Sequence, residues 1–166
     1  MKILKFGCAI ACVGLLSLVS ACSTMNTKIG GMLNLDTDLN LHFRADASIN
    51  PDDNGAPSPL YIRMYELKSD KQFKNADFID IYEHDKQVLG ADMLAKQRLK
   101  RIIPGEKREK DYVLNPKTRY VGLFAEFQHY RNATYKVIIP VEPTNVIASS
   151  SRVHISGNTI SATNTE

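Results

Sequence analysis

Strict alternation limits this chain more than any other feature of its sequence. Leu39, Leu41, Phe43, Ala45 and Ala47 are apolar, and Asn40, His42, Arg44, Asp46 and Ser48 between them are not. Successive side chains of a strand point to opposite faces, so this pattern offers one face to bury and one to leave wet. The same period returns in 119–128, where Val121, Leu123, Ala125 and Phe127 share a face. A strand is expected at 60–67, with Leu60, Ile62 and Met64 on one side and Tyr61, Arg63 and Tyr65 on a partly covered other side. Shorter strands are expected at 112–114, before Asn115-Pro116, and at 135–141. Segments 152–156 and 159–163 flank Gly157-Asn158, a two-residue hairpin connection. Segment 94–103 fits strand or helix and ends at Pro104-Gly105, a pair suited to a type II turn.

One stretch has another period. Phe73 and Ala76 stand three apart, Phe78 and Tyr82 four apart, which predicts one or two short helices within 70–84. Ser69 or Asp70 is placed to cap the first and Asp77 the second, and Gly90 is a breaker beyond them. Seven or eight short strands, with helix confined to one insertion, predict a mainly β chain: an antiparallel two-sheet β-sandwich with a small helical insertion.

The N-terminus is of a different kind. Lys2 and Lys5 precede an apolar run at 6–19, which is short of the ~20 residues a spanning helix needs. It ends Leu18-Val19-Ser20-Ala21-Cys22, an aliphatic residue, two small ones and a cysteine, which resembles the lipobox of bacterial lipoproteins. That resemblance implies cleavage before Cys22 and acyl chains on its sulfur. The expected organisation is a signal peptide at 1–21, a lipidated cysteine and flexible tether at 22–33, and one β-sandwich domain at 34–166. Cys8 and Cys12 leave with the leader, so no thiol remains for a disulfide or a thiolate metal site, and the core alone must hold the fold. Two of the charges behind the net +3 are also the leader's, which leaves no electrostatic case for nucleic acid. The expected cofactor list is empty apart from covalent lipid on Cys22.

Catalytic patterns are missing. There is no G-x-S-x-G, H-E-x-x-H, C-x-x-C or phosphate-binding glycine loop. His42, His84, His129 and His154 are scattered, and His84 with Asp77 and Asp80 reads as a solvated helix surface. Asp52-Asp53-Asn54-Gly55 is no EF-hand, because Arg63 stands where that loop needs a bidentate Glu. Lys96, Arg98, Lys100, Arg101, Lys107, Arg108 and Lys110, mixed with Glu106, Glu109 and Asp111, fit an exposed strand edge blunted by charge, or a surface for anionic head groups or an acidic partner. The expectation is a chain that is not an enzyme.

Asn50-Pro51-Asp52-Asp53-Asn54-Gly55-Ala56-Pro57-Ser58-Pro59 joins the first two strands and is longer than a hairpin requires. Three prolines restrict φ and lower the entropy lost on docking, and two adjacent acids suit a basic partner.

The lipobox, the strand closing Asp46-Ala47-Ser48-Ile49-Asn50-Pro51, the Pro-rich loop and Leu60-Tyr61-Ile62-Arg63-Met64-Tyr65-Glu66-Leu67 form an ordered series. The helical Phe73…Phe78 segment, Leu89-Gly90-Ala91-Asp92, Pro104-Gly105-Glu106 and Tyr120-Val121-Gly122-Leu123-Phe124-Ala125-Glu126-Phe127 continue it. From about 35 to 153 the chain resembles the TssJ (VasD/SciN) family of type VI secretion lipoproteins. The resemblance implies a transthyretin-like sandwich, lipid-anchored on the periplasmic face of the outer membrane. It also implies that the loop at 50–59 holds the periplasmic C-terminal domain of TssM, which joins TssL in the inner membrane, with several copies in the assembled complex. The alternative is a lipoprotein carrying a small hydrophobic ligand. That would need an apolar cavity where Phe43, Leu123 and Phe127 are expected to fill the centre.

Overall fold

The computed structural model describes residues 37–142 and 149–165. The leader, Cys22 and the tether lie outside them. Among the described residues eight strands form two four-stranded sheets. In the first sheet β1 (Thr37–Ala45) lies between β4 (Lys107–Leu114) and β7 (Ser149–Ser156), and β8 (Thr159–Thr165) borders β7. In the second the order is β3 (Met93–Arg98), β2 (Ile62–Leu67), β5 (Tyr120–Ala125), β6 (Lys136–Pro140). Pairing is antiparallel except between β1 and β7, which run parallel. A parallel pair needs a long crossover. Here everything between β1 and β7 in the chain supplies it.

The alternation predicted for β1 holds as far as the strand does. Leu39, Leu41, Phe43 and Ala45 are buried, whereas Ala47 is exposed in the turn beyond the strand's end. Val121, Leu123, Ala125 and Phe127 meet them from the second sheet, with Leu60, Ile62, Met64, Val153 and Ile155 in the same cluster. Phe43, Leu123 and Phe127 therefore occupy the centre, as expected. Burying a side chain of this size stabilises by about 1.5–3 kcal/mol, so this layer takes the part that disulfides play in smaller secreted domains.

Two helices, α1 (Lys71–Asn75) and α2 (Phe78–Leu89), close the outer face of the second sheet. Tyr65, Leu67, Phe73, Phe78, Ile81, Leu89 and Phe124 form a second core there. The side of β2 carrying Arg63 and Tyr65 is thus covered more completely than its sequence showed, with Tyr65 wholly buried. Asp77 caps α2 through a capping box: its Oδ1 accepts from Asp80 N at 2.9 Å, and Asp80 Oδ2 accepts from Asp77 N at 3.3 Å. Asp70 makes no side-chain cap, and Ser69 Oγ accepts from Lys71 N instead. The helix kinks at His84 but continues to Leu89, where Gly90 at φ 49° stops it.

The ambiguous 94–103 segment resolves as strand β3 plus a bridge between Ile102 and Leu60. Gly105, at φ 79°, takes the positive-φ position of the turn in which Glu106 N donates to Ile103 O. The strand expected only at 112–114 is the eight-residue β4. As an edge strand it carries Arg108 and Lys110 at positions that face the core in an inner strand. Both β3 and β4 are edges, so most of the charged run predicted to blunt an edge does lie on edges.

Candidate functional site

The loop at 50–59 is built around one buried amide. Asn50 is only 2% exposed and adopts φ 48°, a left-handed conformation that asparagine tolerates better than most residues. Its Nδ2 donates to Pro59 O at 3.1 Å, which closes the base of the loop, and its Oδ1 accepts from Gln128 N at 2.9 Å. Its backbone N donates to Gly157 O at 2.8 Å. Through this residue the loop is tied to the segment after β5 and to the β7–β8 turn. Thr134 N also donates to Asn158 O, so the three connections are stitched together at one end of the sandwich.

Asp52 shapes the tip. Its Oδ1 accepts from Asn54 N at 2.9 Å and Ala56 N at 2.8 Å, and its backbone carbonyl accepts from Gly55 N. Gly55, at φ 78°, makes the turn. Asp52 N donates back to Ala56 O, and Ser58 N to Ile49 O. The candidate residues therefore divide into two groups. Asn50 is buried, and Pro51, Asp52 and Ser58 are half-buried and hold the loop's form. Asp53, Asn54, Gly55, Ala56, Pro57 and Pro59 are exposed and available to a partner. Asp53, 95% exposed at its side chain, stands 3.6 Å from His129 Nε2 on the neighbouring connection.

Beside this end lies an ionic network that the sequence did not disclose. Glu126, buried to 10% exposure at its side chain, accepts from Arg63 Nε at 2.6 Å and Arg98 at 2.9 Å. Arg63 also donates to the carbonyls of Ile81 and Tyr82, and its guanidinium stands 4.8 Å over the Tyr82 ring. Asp85 accepts from Lys96 Nζ at 2.7 Å and the Tyr65 hydroxyl at 2.9 Å. Burial raises the Asp85 carboxyl, but the Lys96 ammonium and the Tyr65 hydroxyl together hold it below the usual carboxylate range. Burial, and then the Asp85 carboxylate, push the Tyr65 hydroxyl far above its ordinary value. Pairs spread over β2, α2, β3 and the end of β5 lock the helical layer to the sheet that carries the loop. The only hint in the sequence is a set of charges inside otherwise apolar segments.

Among the described residues no group of three or more His, Cys, Asp or Glu side chains could hold a metal. His84 is exposed, 3.8 Å from Glu83, on the helix surface that the sequence predicted for it.

The family model described as "Type VI secretion lipoprotein, VasD, EvfM, TssJ" matches residues 37–158. Among solved structures, the type VI lipoprotein TssJ1 from Pseudomonas aeruginosa is 25% identical and superposes with a TM-score of 0.72, over 79% of this chain and 98% of that one. A chain of a structure described as "Type VI membrane complex" is 26% identical, with TM-score 0.65 over 77% of this chain and 98% of its own. A chain of the structure described as "T6SS protein TssM C-terminal domain (869-1107) from EAEC" has the same fold at 24% identity, with TM-score 0.62 over 76% and 97%. A comparison with curated proteins finds no match.

Proposed function

Because the chain belongs to the type VI secretion lipoprotein family, we propose that it is a non-catalytic docking post. Acyl chains on Cys22 hold it on the periplasmic face of the outer membrane, and the loop at 50–59 captures the periplasmic C-terminal domain of TssM. TssM in turn joins TssL in the inner membrane, and several copies of the post serve one assembly. The single observation that carries the docking role is the loop's construction. Its exposed tip is held in one shape by Asn50 and Asp52 before any partner arrives. A loop already ordered loses little conformational entropy on binding, so more of the contact energy appears as affinity. Similarity to a chain recorded in a type VI membrane complex supports a partner within that complex.

The anchoring role rests on the lipobox. One acyl chain binds reversibly, and stable attachment needs a second signal. The diacylglyceryl and N-acyl groups that the lipobox implies provide it.

The test is capture of the TssM periplasmic domain encoded in the same gene cluster. Replacing Asp53, Asn54 and Pro57 by Ser should abolish capture and leave thermal melting unchanged. Undiminished capture removes the loop from the site. In the same cells Cys22→Ala should release a soluble periplasmic domain that still binds TssM but does not support secretion. Normal secretion by that variant overturns the anchoring role.

A further inference from the structure

The outer face of the first sheet carries a cation cluster that the docking loop does not use. In the β1–β4 register Arg44 stands directly opposite Lys107. In the β1–β7 register Arg44 pairs with His154 and His42 with Arg152, so Arg44 and Arg152 are diagonal neighbours. Like charges directly opposite in a sheet are destabilising, and diagonal neighbours stand only about 7–8 Å apart at their bases. The chain therefore bears an electrostatic cost at this place.

Edge protection accounts for part of the cluster only. Lys107 is on the edge strand β4, where a lysine discourages pairing with other chains. Arg44 and Arg152 are on β1 and β7, the two inner strands of the sheet, where no free edge needs protecting. Neither is directly paired, although the Asp46 carboxylate in the same hollow feels the Arg44 charge. Among the described residues neither arginine makes an ion pair within 4 Å, and the nearby acids are engaged elsewhere: Asp46 Oδ1 lies 3.0 Å from His154 Nε2, and Glu109 lies 3.5 Å from His42 Nδ1 and accepts from Asn40. All three cations are exposed.

The surface between them is concave. A shallow hollow of about 430 Å³ is lined by Arg44, Asp46, Arg152, His154, Ser161 and Thr163. A second hollow, of about 440 Å³, adjoins it across the same two arginines and takes in Lys107. Two planar guanidinium forks, an ammonium and the Thr163 hydroxyl are a donor set that a tetrahedral oxyanion takes, since each fork gives two parallel N–H bonds. Ser161 Oγ already donates to His154 O, and the Asp46 carboxylate in the lining is held by His154.

We propose that Arg44 and Arg152, flanked by Lys107, form a binding site for a phosphate-bearing ligand on the outer face of the first sheet. The phosphate of an anionic phospholipid head group and a soluble phosphate present the same oxygens. On the anchored reading the first is within reach, because only the segment between Cys22 and β1 separates the domain from the bilayer.

The experiment uses the chain from residue 22 onward with Cys22→Ser, so that no acyl chain can itself hold it to a vesicle. Partition is measured on phosphatidylcholine vesicles with and without phosphatidylglycerol, and inorganic phosphate is titrated against the arginine side-chain resonances. Each cation near an anionic surface contributes on the order of fivefold in binding, so R44Q/R152Q should weaken phosphatidylglycerol-dependent partition roughly 25-fold. Its melting temperature should stay level or rise, because a like-charge contact is relieved. Loss of that partition in the double variant assigns the site to head groups. Phosphate binding lost in the double variant, without any vesicle preference, supports the site with a soluble ligand. Absence of both, double-variant binding equal to the parent's, or a lower melting temperature in the double variant overturns it.

Discussion

Asn50→Ala should destabilise the domain by about 3 kcal/mol and loosen the loop at 50–59, although the side chain itself meets almost no solvent. Two bonds are lost at once. The Pro59 carbonyl loses its Nδ2 donor and the Gln128 N–H its Oδ1 acceptor. Each polar group left unpaired in a buried place costs about 1–3 kcal/mol, and partial solvent access at both partners argues for about 1 kcal/mol apiece. Alanine must also hold φ 48°, which adds about 1 kcal/mol for a residue with a Cβ and no local side-chain bond. For a domain of this size the sum corresponds to a fall of about 10 °C in melting temperature. Asn50→Gly separates the contributions: it loses the same two bonds but accepts the left-handed backbone, so it should cost about 2 kcal/mol. Urea melts of parent, Ala and Gly variants give the comparison. Capture of the TssM domain, measured well below each melting point, should weaken in both variants because the loop base no longer closes. An Ala variant within about 0.5 kcal/mol of the parent, or one no less stable than Gly, refutes this account of the loop's order.

The parts of the fold that were legible are those where one strand's burial is two-sided in character. β1 has one dry face and one wetter one, and the alternation records it; β5 is dry on both faces, and Val121, Leu123 and Ala125 mark only the face toward the other sheet. β4 was mostly hidden because an edge strand need not keep its inward positions apolar, and Arg108 there bonds Glu106 and the carbonyls of Lys100 and Arg101. The last turns of α2 were hidden for a similar reason. Asp85 is buried in the helix, and its partners are Tyr65 and Lys96 on two strands, so the apolar period breaks where the ionic one begins. The parallel β1–β7 pairing joins segments that no local pattern relates. At the candidate site, prolines and length singled out the loop, but not which of its residues hold it and which face outward. That division depends on Gln128, 78 residues away from Asn50, and no feature of the loop alone reveals it.

Two further expectations test the layer that supports the loop. Gly122→Ala would place a Cβ 2.8 Å from the Phe73 ring, which is fully buried against Tyr65, so overpacking should cost about 1–3 kcal/mol in a urea melt. Phe73→Leu in the same chain should recover part of that loss, and additive costs would show that the two residues do not meet. Asp85→Asn should act through charge: the folded carboxyl lies below its ordinary 3.8, so its contribution is complete above that value and lost as pH falls through the lower folded one. The stability gap between parent and variant should therefore be constant above about pH 5 and narrow progressively in acid. A gap that persists undiminished under strongly acid conditions would mean that Asp85 serves by its shape, and that the Lys96 and Tyr65 bonds do not depend on its charge.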